Sequence, residues 1–368
     1  MPEPLGAPAP PPPPPSPRFE VAWTYDAQGA FGPAGPRVAA GHALVATRHG
    51  EVHVVALERG RAAGVGAFGD AVEGEVALSP DGQRLFVPVA RGRAGVACHV
   101  VTTGVACWTA RLGAHVAGLA LTPDGSRLVA AAYDGTVRAL DAATGAVAWE
   151  ARPDTLARLL ATPLLAGGLA VVADDRGAVR AFDVATGALV WTAAAGAPVH
   201  RTPALAAGRL FVPTTRGRLV ALEAATGAAL WTDDAWAAGM GDFVRLTTPA
   251  ASEALVVVGS TGGLVRALDP ASGAERWHYR VRGNVGAAPL LAGAWVVVGT
   301  ARRALLVLEA ASGAPAWETT LRGRVRSAPV LAGDLLLVQA EPRHLVALRP
   351  VSAPPTDASP GASNPARR

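Results

Sequence analysis

The residues able to do chemistry are few and poorly placed for it. His49 and His53 in "HGEVH" lie four apart. On a helix that spacing would let both reach one metal, but on a strand rising about 3.3 Å per residue they stand roughly 13 Å apart, too far to share one zinc. Asp174 and Asp175 precede a glycine, and Asp233 and Asp234 follow a tryptophan. Adjacent carboxylates on a strand point to opposite faces and make no acid/base couple. Turn chemistry accounts for the first pair, and a solvated loop or a partner-facing charge for the second. "GVGAFG" (64–69) has the spacing of a dinucleotide fingerprint, but "DAVEGEVALSPDG" follows it where the phosphates would need a helix N-terminus. All 33 basic residues are arginine, so no lysine exists to complete a phosphate-binding P-loop. The two cysteines, Cys98 and Cys107, are too few for a disulfide-dense scaffold or a four-cysteine zinc site. No catalytic, cofactor-binding or metal-binding set is expected.

Composition narrows the class further. Half of the 368 residues are hydrophobic, enough for a large core, and the net charge is only +4. The arginines are scattered and not interleaved with aromatics, which argues against nucleic-acid binding. No apolar run reaches the eighteen or so residues of a membrane helix, and the start "MPEPLGAPAPPPPPPSPRFE" lacks the basic and apolar regions of a secretory signal.

The elements are announced by repetition. The pattern [DE]-x-x-[TS]-G-x-x-x-W ends at Trp149, Trp191, Trp231, Trp277 and Trp317, and a partial copy ends at Trp108. The spacing of 40 to 46 residues is that of a propeller or other repeat array. Each unit reads as four short strands. Its acid ends the third strand, its Thr or Ser and its glycine (Gly145, Gly187, Gly227, Gly273, Gly313) make the turn, and its Trp on the fourth strand packs between units. Upstream, "VAAGHALVATRHGEVHVVALERGRAAGVGAF" (38–68) has the same layout, with Phe68 expected in the tryptophan position. "APVLAGDLLLVQAEPRHLVALRP" has only three strands, and "FEVAWTY" (19–25), with Trp23 in place, supplies the fourth.

This predicts an all-β fold, an eight-bladed β-propeller of four-stranded antiparallel blades spanning 19–350 and closed by the N-terminal strand. Seven blades is the alternative if the first unit is misread. Residues 1–18, Pro-rich, and 351–368 are expected to be disordered. With the hairpin turn centred between Thr102 and Thr103, Cys98 and Cys107 face each other, near enough for a disulfide that would imply an oxidising compartment. Two reduced cysteines fit equally well.

"ALDAATGAVAW" (139–149), "AFDVATGALVW" (181–191) and "ALDPASGAERW" (267–277) resemble the tryptophan-docking repeats of PQQ-like propellers, a resemblance covering roughly 19–350. One branch of that group comprises quinoprotein dehydrogenases, which hold PQQ over calcium with Glu, Asn and Asp and a vicinal disulfide. Here the only asparagines are Asn284 and Asn364, and the cysteines are nine apart. The other branch is the non-enzymatic scaffold family similar to BamB, which serves outer-membrane β-barrel assembly. Size and the lack of a metal constellation fit that branch.

That resemblance implies a protein partner, the barrel-bearing subunit, bound through the longest interblade segment, "WTDDAWAAGMGDFVRLTTP" (231–249). Val244 and Arg245 match the end of the family's contact motif, with Phe243 and Leu246 adding apolar surface. The alternative is that Trp236, Met240 and Phe243 cover the blade edge. The acidic stretch the family carries in the next loop is replaced here by Arg280 and Arg282. The family's lipobox cysteine has no counterpart, so a periplasmic, outer-membrane-associated place rests on the resemblance alone. A cytoplasmic propeller is the alternative, favoured by "LSPDGQRLFV" and "LTPDGSRLVA", which resemble WD-type turns. Either way a monomer within a complex is expected.

Overall fold

A computed structural model describes residues 18–32, 34–67, 72, 74–90, 94–152, 157–234, 236 and 244–351. Of the segments 1–18 and 351–368, expected to be disordered, all but Arg18 and Val351, which are strand, lie outside the described residues.

The strands form eight four-stranded antiparallel sheets arranged as an eight-bladed β-propeller, with no α-helix among the described residues. Seven blades are continuous in sequence: blade 1 (37–67), blade 2 (77–111), blade 3 (116–151), blade 4 (164–194), blade 5 (204–233), blade 6 (250–280) and blade 7 (290–320). Blade 8 takes three strands from 330–351 and its fourth from Arg18–Asp26. That pairing runs from Arg18 opposite Val351 to Asp26 opposite His344. The seven-blade alternative is thereby excluded.

Burial explains why each strand has its composition. The second and third strands of a blade are covered on both faces by neighbouring blades and read as unbroken apolar runs, such as Leu128–Ala132, at most 1% exposed. The fourth strand is outermost and largely exposed, as in Val147–Ala151, where Trp149 and Ala151 alone are partly covered. Apolar clusters bridge each blade to the next, and the cluster joining Val45 and Val55 of blade 1 to Leu337 and Leu345 of blade 8 closes the ring.

All eight blades share an irregularity that the repeat does not reveal. In the last hairpin the register slips by one residue beside the tryptophan position: Ala139 faces Trp149, but Leu140 faces Val147, leaving Ala148 as a β-bulge. The same slip occurs in the other seven blades. The pairing registers correct two expectations. In blade 1 the residue facing Val54 at the tryptophan position is Gly64, not Phe68, which lies outside the described residues. In blade 2 Cys98 faces Trp108, and Cys107 is the bulge residue.

Candidate functional site

The repeated motif builds joints between blades. In the turn after the third strand, Asp141 Oδ1 accepts hydrogen bonds from the Ala143 N–H (3.0 Å), the Thr144 N–H (2.9 Å) and the Thr144 hydroxyl (2.9 Å). These bonds hold the Asp141 carboxyl below the usual carboxylate range, with the Thr144 hydroxyl the largest cause. Asp183 and Asp269 repeat the arrangement with Thr186 and Ser272. The next residue but three is a glycine at φ of 72–76° in Gly145, Gly187, Gly227, Gly273 and Gly313, a conformation that β-carbon-bearing residues resist. Onto it lies the tryptophan of the preceding blade. A Cβ on Gly60 or any of these five glycines would come within 2.4–2.7 Å of that ring. The indole N–H then donates to a backbone carbonyl of the turn at 2.7–3.2 Å for Trp23, Trp108, Trp149, Trp191, Trp231 and Trp277. Trp317 has no motif turn to meet among the described residues, because the third and fourth strands of blade 8 come from opposite ends of the sequence, and it packs on Phe19 at 5.2 Å between centroids.

The acids singled out by sequence are absorbed into structure. Asp174 Oδ1 accepts from the Arg176 and Ala178 N–H groups, its Oδ2 pairs with Arg180 at 2.6 Å, and Asp175 accepts from the Arg158 N–H. Asp233 accepts from the Trp236 indole (2.8 Å) and pairs with buried Arg266 (2.5 Å), whose guanidinium also meets Glu275 and lies over the Trp236 ring. Asp234 pairs with Arg218 at 2.6 Å. His49 is exposed, whereas His53 is buried with Nδ1 2.8 Å from the Tyr25 hydroxyl. Cys98 and Cys107 are free thiols, one buried and one exposed. Among the described residues no three His, Cys, Asp or Glu side chains gather as metal ligands. Asn284 sits exposed in a loop.

The remaining candidate is the face formed by the interblade loops and the turns between second and third strands. Backbone bonds tie the two together: the Asp175, Thr261, Ala301 and Glu341 N–H groups donate to the carbonyls of Arg158, Arg245, Asn284 and Arg324 at 2.8–3.0 Å. These four residues hold equivalent places at blades 4, 6, 7 and 8, and all are exposed; at blade 5 the place is taken by Pro198, whose carbonyl accepts from the Thr215 N–H. Arg245 is doubly anchored, since its own N–H donates to the Thr261 hydroxyl at 3.1 Å. Loss of water first, and then the nearby Arg245 guanidinium, lower the pKa of both Arg201 and His200, so positive charge is concentrated there. Val244 and Leu246, each 2% exposed, point the other way into the core with Trp236 and Phe211. They offer no apolar surface to a partner, and Phe243 lies outside the described residues. Trp236 covers the blade edge, as one reading of this segment expects. The recurrence of arginine at equivalent loop places went unnoticed in the sequence because these loops differ in length.

Comparison with known proteins follows the same lines. A family model described as outer membrane protein assembly factor BamB matches residues 48–163, 155–290 and 281–353. No curated protein matches the chain. Among solved structures, BamB from Moraxella catarrhalis is 19% identical with a TM-score of 0.75, covering 90% of this chain and 98% of that one. The quinohemoprotein alcohol dehydrogenase from Comamonas testosteroni is 14% identical with a TM-score of 0.71, covering 90% and 76%. Sqt1 from Saccharomyces cerevisiae is 11% identical with a TM-score of 0.76, covering 91% and 98%. Such identities speak for the fold alone. With the family model matched over most of its length and all eight blades in place, the chain belongs to the family of the outer membrane protein assembly factor BamB.

Proposed function

We propose that this protein is a non-enzymatic scaffold of outer-membrane β-barrel protein assembly, binding the barrel-bearing subunit through the loop face that carries Arg245. The observation that carries this reading is the family match along three stretches reaching from residue 48 to 353. The surface agrees with it. Arg245 stands exposed on a backbone pinned at both its N–H and its carbonyl, so a partner would meet a charge whose ordering cost is already met in part by the fold. Arg158, Arg201, Arg282 and Arg324 on the same face are also exposed, so the complementary surface on the partner is acidic.

The test is co-purification and crosslinking from the protein's own cells with Arg245→Glu. The exposed position leaves folding intact, and the variant is expected to recover the barrel-assembly subunit at least tenfold less well, the size of an interfacial charge contact of about 1.4 kcal/mol. Undiminished recovery would remove Arg245 from the interface. Recovery of soluble proteins only, by the unaltered chain, would overturn the role itself.

A further inference from the structure

One joint of the ring is built but left empty of its tryptophan. Between blades 1 and 2, the turn 100–104 has the motif form: Gly104 lies at φ +69°, and its N–H donates to the Val100 carbonyl at 2.8 Å, as Gly145 does to Asp141. The residue that should lie on it is Gly64, at the tryptophan position of blade 1. Among the described residues nothing comes within 4 Å of a Cβ on Gly104, whereas at six other turns an indole fills that space. The apolar cluster here, with Leu44, Val52 and Leu85, is the only blade-to-blade cluster without an aromatic ring among the described residues. The result is a hollow of about 100 Å³ lined by Leu44, Val52, Val54, Gly64, Val101 and Gly104. Its rim includes Val65, 53% exposed, and the neighbouring Val105 is 62% exposed.

We propose that this hollow binds a small planar aromatic molecule of indole class, with one N–H donor. The chain supplies its own reference for the bound state. In the six filled joints the ring lies on the glycine, and in all six its N–H meets the carbonyl three residues before that glycine, from Leu57 before Gly60 to Ala310 before Gly313. In the empty joint that carbonyl belongs to Val101. A slot with Leu44, Val52 and Val54 on one side, His99, Thr102 and Thr103 on the other and one backbone acceptor at its edge selects an aryl ring bearing a donor over an aliphatic chain of equal size. The inference is independent of barrel assembly, since it rests on blades 1 and 2 alone.

Titration calorimetry of the full chain with indole tests it, with Gly64→Trp as the blocked form. Gly64 has no positive φ, and nothing lies within 4 Å of its added Cβ, so the new side chain has room to dock. The unaltered chain is expected to bind millimolar indole, and G64W to bind at least tenfold more weakly while its Tm rises by about 2–4 °C. Should G64W not fold, Gly64→Leu fills part of the same space and is expected to weaken indole binding as well. No heat with the unaltered chain, or equal binding by a folded blocked variant, would overturn the proposal.

Discussion

Cys98 is wholly buried, and its thiol is pushed up to about 12, first by loss of water and then by the Cys107 sulfur beside it. It therefore stays protonated, and unreactive, throughout the range in which an ordinary cysteine becomes a thiolate. Cys107 is exposed. At pH 8, a thiol reagent is expected to modify one cysteine per folded chain and both after denaturation; rapid modification of both in the folded protein would contradict the burial of Cys98. A second residue-level expectation concerns Arg266, 7% exposed by its side chain and paired with Asp233 at 10%. Asp233→Ala leaves that guanidinium short of a partner in the core and should cost about 3 kcal/mol, read as a fall in the denaturant midpoint with the slope unchanged. Side-chain placement of this kind was only partly legible beforehand. The carboxylate, hydroxyl, glycine and indole of the motif could be assigned because each residue type satisfies a local demand of the turn. Val244 and Leu246 could not, because an apolar residue in a loop reads the same whether it faces a partner or the core.

At the scale of the blade, strand number and order followed from the repeat, since a 40-residue period with Gly-marked turns admits little else. The bulge did not follow, because it leaves no mark in residue type. Its extra residue is Ala63, Cys107, Ala148 or Val190 in the first four blades. One uncounted residue moves every later partner by one, which is why Cys98 was matched with Cys107; Phe68 stands four residues beyond Gly64 and was matched because it is the nearest aromatic residue, not because of the bulge. The bulge also has a use: it breaks the strict alternation of the outer strand just before the ring, allowing the tryptophan to leave its own blade and settle on the next. The exposed arginines at 158, 245 and 324 were hidden for a different reason. Their equivalence is set by backbone bonds to a neighbouring turn, not by distance along the chain.

In the whole molecule the ring is held at one place by two segments far apart in sequence. The strand Arg18–Asp26 contributes Trp23 to the turn of blade 1 and Phe19 to Trp317 of blade 7, so both flanks of blade 8 depend on it. A chain lacking residues 1–26 is expected to lose this double joint and bare a strand edge. Sizing chromatography should then find oligomers where the unaltered chain is expected to run as a monomer, with Tm lower by several degrees; an unchanged monomer of unchanged Tm would show that closure adds little. The same strand sets a timetable for synthesis. Its partner, His344–Val351, is made some three hundred residues later, and at about 5–20 residues per second the edge-forming segment must wait roughly 15–60 s for its mate. During that interval the newborn protein is an open arc with an apolar flank at either end, the period in which a chaperone would have most to hold.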